Sequence, residues 1–571
     1  MIEGLNPGFI LIFGALLVPI TSGIIRSILL LTLPVLALTQ IYTLGLGTWG
    51  HYEFLGLSIE LTRIDPLARI FGTVFCLASF MGMIYALHVK DTIQHFVALI
   101  YMGSAIGAVF AGDMITLFVF WELTAISSVF LIWASRTERA YKAGMRYLII
   151  QVSSGVILLG GIILYYQETG SIAFNYIGLT GLASGLILLA FGIKSAFPFL
   201  HNWMQDAYPE ATVTGTVILS AFTTKLAIYT LARAFPGTDI LIPIGAAMTV
   251  YPIFFAVLEN DLRRVLAYSL NNQLGYMVVG VGIGTELAIN GTAAHAFAHI
   301  MYKSLLFMSM GAVLFRTGTI KASELGGLYK SMPVTMVFCI IGAMSIAAFP
   351  LTGGFVSKAM IQSAAADGGM VVIWLIMLFA SAGVMDHSGI KVPFFTFFAH
   401  DSGIRVKEAP MNMLFAMGFA AFFCIGIGVF PGLLYELLPY EPTYKPYTAG
   451  HVITSLQLLL FAVLAFALLM RYKIYPPELR STNLDFDWFY RVPLKWLALA
   501  IGRLILVIWN WFLGIANDIV YSIINTTEKT HGDGKVLART TSSSTAVMII
   551  VAVLGFVVVF FYRFLQQPLP M

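Results

Sequence analysis

TVILSAFTTKLAIYTLARAF, residues 216–235, sets the terms for the whole chain. About twenty residues with so few charges make a helix roughly 30 Å long, the thickness of a bilayer's hydrocarbon core. Lys225 stands near its middle. A charged side chain at that depth costs about 2.5–3.5 kcal/mol by insertion scales, so it persists where it is paired, hydrated in a cavity or used. From mid-span Lys225 cannot snorkel to either interface. Its neighbours therefore set its affinity for a proton, as a reversible proton carrier requires.

The rest of the chain agrees with a membrane setting. Of 571 residues 59% are hydrophobic and 11% charged, and mean hydropathy is +0.88. A soluble protein carries about a quarter charged residues. The net charge of +4 is small and scattered, with no basic stripe to bind nucleic acid. Cys76, Cys339 and Cys424 lie in apolar runs without CxxC or metal-ligand spacing, so haem, iron–sulfur, disulfide and metal roles are not expected. There is no P-loop, dinucleotide fingerprint or nucleophile elbow, and no cofactor is expected. The N-terminus lacks a basic n-region, so Met1 to about Leu44 reads as a retained helical hairpin rather than a cleaved signal.

Apolar runs of spanning length fall at 5–21, 24–43, 67–89, 93–111, 114–134, 143–166, 178–200, 212–234, 240–258, 264–283, 288–315, 334–366, 370–386 and 411–434. Two more follow at 451–470 and 546–563. The fold class expected is an all-α polytopic membrane protein. Up to residue 450, fourteen Lys and Arg fall on one set of alternate loop sides, among them Arg136, Arg139, Lys142, Arg146, Arg263, Arg264, Lys330, Arg405 and Lys407. Only Arg63, Arg69, Arg233 and Lys445 fall on the other. The positive-inside rule then puts the basic loops in the cytoplasm of a bacterial inner membrane and the N-terminus outside.

Four basic residues of that stretch lie inside spans instead: Lys194, Lys225, Lys303 and Lys358. Glu122 stands alone in MITLFVFWELTAISSVFLIWA and needs a cation or a proton. Lys194 precedes Pro198, which lacks the N–H that would bond to the lysine's carbonyl, so the helix should break there. His295, His299 and Lys303 recur every four residues in HAFAHIMYKSLLF and share one helix face, as a proton relay would. With no third ligand in that helix, zinc is the weaker reading of the two histidines. Lys358 follows Pro350, Gly353 and Gly354, which interrupt a long apolar run. The two interrupted helices are five spans apart. That spacing suggests two five-helix repeats of opposite orientation whose half-channels meet near the midplane.

This divides the chain into N-terminal helices (1–92), a first repeat (93–235), a second repeat (236–390), peripheral helices (391–470), a lateral amphipathic helix with linker (471–545) and a terminal anchor (546–571). The lateral helix is read from Lys495, Arg503, Asn510, Asn517 and Asp518, which stripe an otherwise apolar stretch from Leu494 to Asn525. Asp386, His387, His400 and Asp401 read as solvated polarity at a helix end and in a loop, or as the mouth of a proton path.

Six stretches together resemble the antiporter-like subunits shared by Mrp-type cation/proton antiporters, respiratory complex I and membrane-bound hydrogenases. They are FVFWEL, GIKSAFPFLHNWMQDAYPEA, SAFTTKLAIYTLAR, DLRRVLAYSLNNQLGY, HAFAHIMYKSLLF and PLTGGFVSK, covering about residues 65–365. The resemblance implies that Glu122 pairs with Lys194, that Lys225 is the central carrier, and that His295, His299 and Lys303 lead on to Lys358. Lysine within SAFTTK is similar to the D-type Mrp subunits, whereas a long lateral helix is similar to larger subunits. ATVTGTV departs from the family, which often carries a proline there.

The expected function is a proton-translocating subunit of a multisubunit Na+/H+ antiporter, with other subunits of the complex as partners. Opening the Glu122–Lys194 pair would move the proton held by Lys225 sideways. The alternatives are a proton-pumping arm of a redox-driven complex, and a scaffold whose lateral helix braces neighbours.

Overall fold

A computed structural model describes residues 4–475, 483–535 and 543–565. It falls into two units, Met1–Asp485 and Phe486–Met571. Among the described residues, thirteen helices are long and apolar enough to cross a membrane, in line with the all-α polytopic expectation.

The first unit opens with α1 (Gly8–Ala15) and α2 (Gly23–Leu44). The run 5–21 was expected to span, but it is helical for only 8 residues before turns take over. Pro19 withholds the N–H that a further turn of helix would need. Next comes a hairpin that hydropathy did not reveal: β1 (Gly47–Phe54) pairs antiparallel with β2 (Leu57–Ile64). Leu55 and Gly56 link them with φ of +53° and +76°, the left-handed pair that a two-residue hairpin turn requires.

Four spans follow: α3 (Pro66–Ala86), α4 (Thr92–Val109), α5 (Met114–Trp133) and α6 (Glu138–Thr169). Each starts where a polar side chain takes up orphan backbone donors. Asp65 accepts from Ala68 N, Asp91 from Ile93 N, Asp113 from Ile115 and Thr116 N, and Thr137 from Ala140 N. The chain continues as α7 (Leu182–Lys194), α8 (Asn202–Ala207), α9 (Val213–Ala221), α10 (Thr223–Ala234), α11 (Leu241–Leu258), α12 (Leu262–Ile283) and α13 (Glu286–Thr317). The single span expected at 212–234 is therefore interrupted at Phe222. The run 334–366 becomes α14 (Pro333–Ile346) and α15 (Gly353–Asp367). Next, α16 (Val371–Val384) continues through π turns at Met385–Ile390 and Phe394–Phe398 around α17 (Lys391–Pro393). This span does not stop at 386 as its Asp-His pair suggested. α18 (Met411–Val429), α19 (Gly432–Tyr435) and α20 (Ala449–Arg471) complete the unit.

The second unit holds α21 (Asp487–Arg491), α22 (Pro493–His531) and α23 (Ser543–Leu565). The amphipathic stretch is helical over 39 residues, so it takes in the start of the expected linker. The linker at 536–542, the preceding segment 476–482 and the last residues of the anchor, 566–571, lie outside the described residues.

The interruptions after α7 and α14 follow one backbone path. Ala196 and Phe199 have φ of +62° and +70°, and Ala348 and Leu351 have φ of +60° and +70°. Phe197 N donates to Gly192 O at 3.0 Å, and Phe349 N donates to Met344 O at 3.0 Å. The sequence is Ala-Phe-Pro in both places, at 196–198 and 348–350. Each proline lacks a backbone donor, and each alanine takes the left-handed turn that redirects the chain.

α13 runs through the centre. It packs against α3, α9, α10, α12, α14, α15 and α18, and is buried from Ala288 to Val313. Glycines let neighbouring backbones approach closely: a Cβ on Gly245 of α11 would lie 2.7 Å from the carbonyl of Gly275 on α12.

A row of buried amines and imidazoles

Every cation expected inside the membrane is buried in protein. Lys194, Lys225, His295, His299 and Lys303 are 0% exposed and Lys358 is 1%. None faces outward, where lipid would be.

Lys194 closes α7, and its ammonium reaches across to α5. It donates to the carbonyl of Trp121 at 2.7 Å and the hydroxyl of Thr124 at 2.9 Å. It also lies 4.1 Å from the centroid of the Trp121 ring. Glu122, next to Trp121 in sequence, does not bond to Lys194. Its Oε1 is buried without a hydrogen-bond partner among the described residues and lies against Gly155 of α6. The expected pair is thus a near-neighbour arrangement, with Trp121 and Thr124 holding the amine.

Lys225 lies just past the interruption at Phe222. Its ammonium donates to the carbonyl of Ser220 at 2.5 Å and to Thr224 Oγ1 at 3.2 Å. Lys358 does likewise at the second break, donating to the carbonyl of Ile346, the last residue of α14, at 3.1 Å. It also sits 5.1 Å from the Tyr276 ring centroid. The last carbonyls of a helix have no intrahelical donor and carry partial negative charge. Each of these lysines therefore satisfies the end of the half-helix that precedes it. Broken helices in membranes hold cations through the same chemistry.

His295 is the best-connected member of the row. Its Nδ1 lies 3.0 Å from Ser357 Oγ on α15, and its Nε2 lies 3.2 Å from Gln273 Oε1 on α12. Tyr302 donates to the same Gln273 oxygen at 3.1 Å, so α12, α13 and α15 are tied at one point. His299 follows, its ring centroid 6.2 Å from that of His295 and 5.2 Å from that of Tyr302. Neither nitrogen of His299 nor the Nζ of Lys303 has a hydrogen-bond partner among the described residues.

The row's supporting groups were not picked out from the sequence. Trp121, Thr124, Gln273, Tyr302 and Ser357 look unremarkable one at a time. Asn271, Asn272 and Gln273 carried a signal, since three consecutive amides inside a span need partners. His387 corrects the sequence reading, and Lys391 is a buried cation that the sequence did not single out. Both are 0% exposed and belong to the extended α16 span rather than to a solvated loop. His387 Nδ1 is 2.8 Å from Ser388 Oγ, which donates to Ser269 Oγ at 2.8 Å. Lys391 donates to the carbonyls of Val257 and Glu259 at 2.6 and 2.8 Å. By contrast, Asp401 is a loop residue as read, bonded to Lys330 and Arg405 at 2.6 Å each.

Among the described residues no group of three or more His, Cys, Asp or Glu is arranged to hold a metal ion. Residues 111–383 match the family described as NADH:quinone oxidoreductase/Mrp antiporter, TM. Among curated relatives, NADH-quinone oxidoreductase subunit N of Desulforudis audaxviator is 31% identical over 376 residues, 60% of this chain and 74% of that one. The D-type Na(+)/H(+) antiporter subunit of Alkalihalophilus pseudofirmus is 31% identical over 339 residues, 56% of this chain and 68% of that one. Among solved structures, a chain of the membrane-bound sulfane sulfur reductase, an archaeal respiratory membrane complex, shares the fold. Its TM-score is 0.69 at 22% identity, over 96% of this chain and 99% of that one.

Proposed function

The chain belongs to the family of NADH:quinone oxidoreductase and Mrp antiporter transmembrane subunits, and on that footing we propose that it carries protons across a membrane as one subunit of a larger complex. One observation supports this most: every amine and imidazole of the row is wholly buried, and three of the four lysines are bonded to neutral backbone or hydroxyl groups rather than to carboxylates. An ammonium held by carbonyl and hydroxyl groups can lose its proton without leaving an anion unpaired. That suits a group that loads and unloads.

In this reading Glu122, Lys194, Lys225, His299, His295, Lys303 and Lys358 form the proton row. Residues 93–235 and 236–390 are its two halves, inserted from opposite sides. The shared Ala-Phe-Pro path of the two breaks supports such a repeat. Downhill proton movement drives export of a cation, sodium in the first reading, from the side bearing the basic loops, and the N-terminus lies on the other. A second reading, a redox-driven proton pump, is favoured by the likeness over 96% of the chain to a chain of a respiratory complex.

Proton uptake by membrane vesicles containing the assembled complex tests the proposal. Lys225→Ala should abolish it, and wild-type uptake by that variant would refute the role of the row. Dependence on added sodium supports the antiporter, whereas dependence on an electron donor supports the pump.

A further inference from the structure

The residues leading into the second unit end on a buried acid. Asp485 and His201 have side chains only 6% and 3% exposed, and Asp485 Oδ2 lies 3.1 Å from His201 Nε2. Tyr268 of α12 donates to the same oxygen at 2.8 Å. His201 lies in the stretch joining α7 to α8, and its ring centroid is 4.8 Å from that of Tyr251 on α11. Tyr251 OH accepts from Asn271 on α12. The next residue, Asn272, accepts from Gln273 at 2.5 Å, and Gln273 Oε1 faces His295 Nε2 at 3.2 Å.

His201, its neighbours Asn202 and Gln205 at α8, and Asn271 carry buried polar atoms without protein partners among the described residues: His201 Nδ1, Asn202 Oδ1, both amide atoms of Gln205 and Asn271 Oδ1. Such atoms are costly in a dry interior and are satisfied by water where there is room. The Asp485 end is the charged end. Asn483 Nδ2 bonds to Glu259 at 3.2 Å, and Arg264 lies 3.8 Å from the same carboxylate.

We propose that Asp485 is a proton-loading carboxylate, the outermost group of a side branch that joins the proton row at His295. The branch rests on the proton-carrying reading above. Asp485 takes a proton from water at the basic-loop end and passes it to His201 Nε2. The resulting imidazolium releases one from Nδ1 into water held by Asn202, Gln205 and Asn271. The amides of Asn272 and Gln273 orient the last step to His295. The amides hold water and are not themselves carriers.

The test separates loading from bracing. Asp485→Asn keeps an oxygen for Tyr268 and His201 but cannot hold the proton, whereas Asp485→Glu keeps the acid. In vesicles containing the assembled complex, Asp485→Asn should slow proton uptake by about a hundredfold or more, the lower reach of a positioned acid–base group. Asp485→Glu should restore most of it. Wild-type uptake by Asp485→Asn overturns the proposal and leaves Asp485 as a brace; equal loss in both variants also overturns it. Lys225→Ala in the same vesicles tells the two ideas apart. If it stops uptake while Asp485→Asn does not, only the branch fails. If Lys225→Ala is silent, the proton row itself fails.

Discussion

The carboxylate of Glu122 occupies the space where Gly155 would otherwise carry a side chain. A methyl group there would coincide with Oε1. The tip of a glutamate is free to move and helix backbone is not, so Gly155→Ala should displace the carboxylate and leave α5 and α6 packed. Assembly of the complex should be unchanged. Proton uptake should drop by up to about a hundredfold, the cost that an ångström-scale misplacement of a reacting group can carry. Uptake in vesicles, read beside the amount of assembled complex, checks this.

Among the described residues, Lys194 relies on Thr124 for its one side-chain hydrogen bond. Thr124→Val keeps shape and removes that acceptor. The ammonium is then short of a partner in a dry interior, at a cost of about 1–3 kcal/mol. Thermal unfolding in detergent should fall accordingly. Thr124→Ser, which restores the hydroxyl, should recover most of the loss.

Gln273 Oε1 faces both His295 and Tyr302. Gln273→Leu should therefore uncouple two side chains at once. A double-mutant cycle with Tyr302→Phe should show the two effects to be non-additive by about 0.5–3 kcal/mol, as for residues within one hydrogen-bonded network. Additive losses would mean the three groups do not act together.

Asp65 joins the β-hairpin end to α10. Arg233 bonds to it at 2.7 Å, and Arg63 lies 3.5 Å away. Burial alone would raise its pKa, but the charge and hydrogen bond of Arg233, with the Ala68 N–H and the charge of Arg63, together hold the carboxyl below its ordinary value. A carboxyl with a depressed folded-state pKa contributes stability above its unfolded value, near 4, and loses it as pH falls through the folded value. Asp65→Asn should thus lower stability by about 1–3 kcal/mol between pH 5 and 8. The gap to wild type should close only below about pH 4. Unfolding midpoints of both proteins across that range test the sign.

Ala196 and Ala348 both hold positive φ. The β-carbon opposes this conformation by about 1–2 kcal/mol, against which glycine's extra unfolded-state freedom costs roughly 0.5–1 kcal/mol. Ala196→Gly and Ala348→Gly should each leave stability unchanged or raised by up to about 1.5 kcal/mol. A large loss in detergent unfolding would mean the methyl groups contribute packing that outweighs the strain.

The spans were legible because hydrocarbon thickness imposes a length and a composition on each of them. The buried cations were legible because a charge inside such a run is conspicuous. Partners were not: Trp121 offers Lys194 a backbone carbonyl, which no sequence pattern marks, and Gly155 makes room for Glu122 from another helix. The hairpin at 47–64 was not legible because its strands are short and not apolar throughout, and Leu55-Gly56 between them lacks the Asn-Gly or Asp-Gly signature of a two-residue turn. His387 read as solvated polarity at a helix end because polar side chains commonly end a span, and Lys391 fell beyond that expected end. In the structure π turns carry the helix past both; the carbonyls of Val257 and Glu259 at the end of α11 take the amine of Lys391, and Ser388 Oγ lies 2.8 Å from His387 Nδ1.

The helix Pro493–His531 is one uninterrupted rod of 39 residues, about 58 Å from end to end. A slab of hydrocarbon about 30 Å deep would cover such a rod fully only at a tilt near 60° from the normal, whereas membrane helices average about 20°. Set upright, it would thrust roughly 28 Å of its length into headgroups and water. Trp496, Val507 and Trp509 are already 74%, 66% and 60% exposed, and not all of that greasy surface would then find oil. Only a steep lean, or another protein pressed along its flank, keeps it dry.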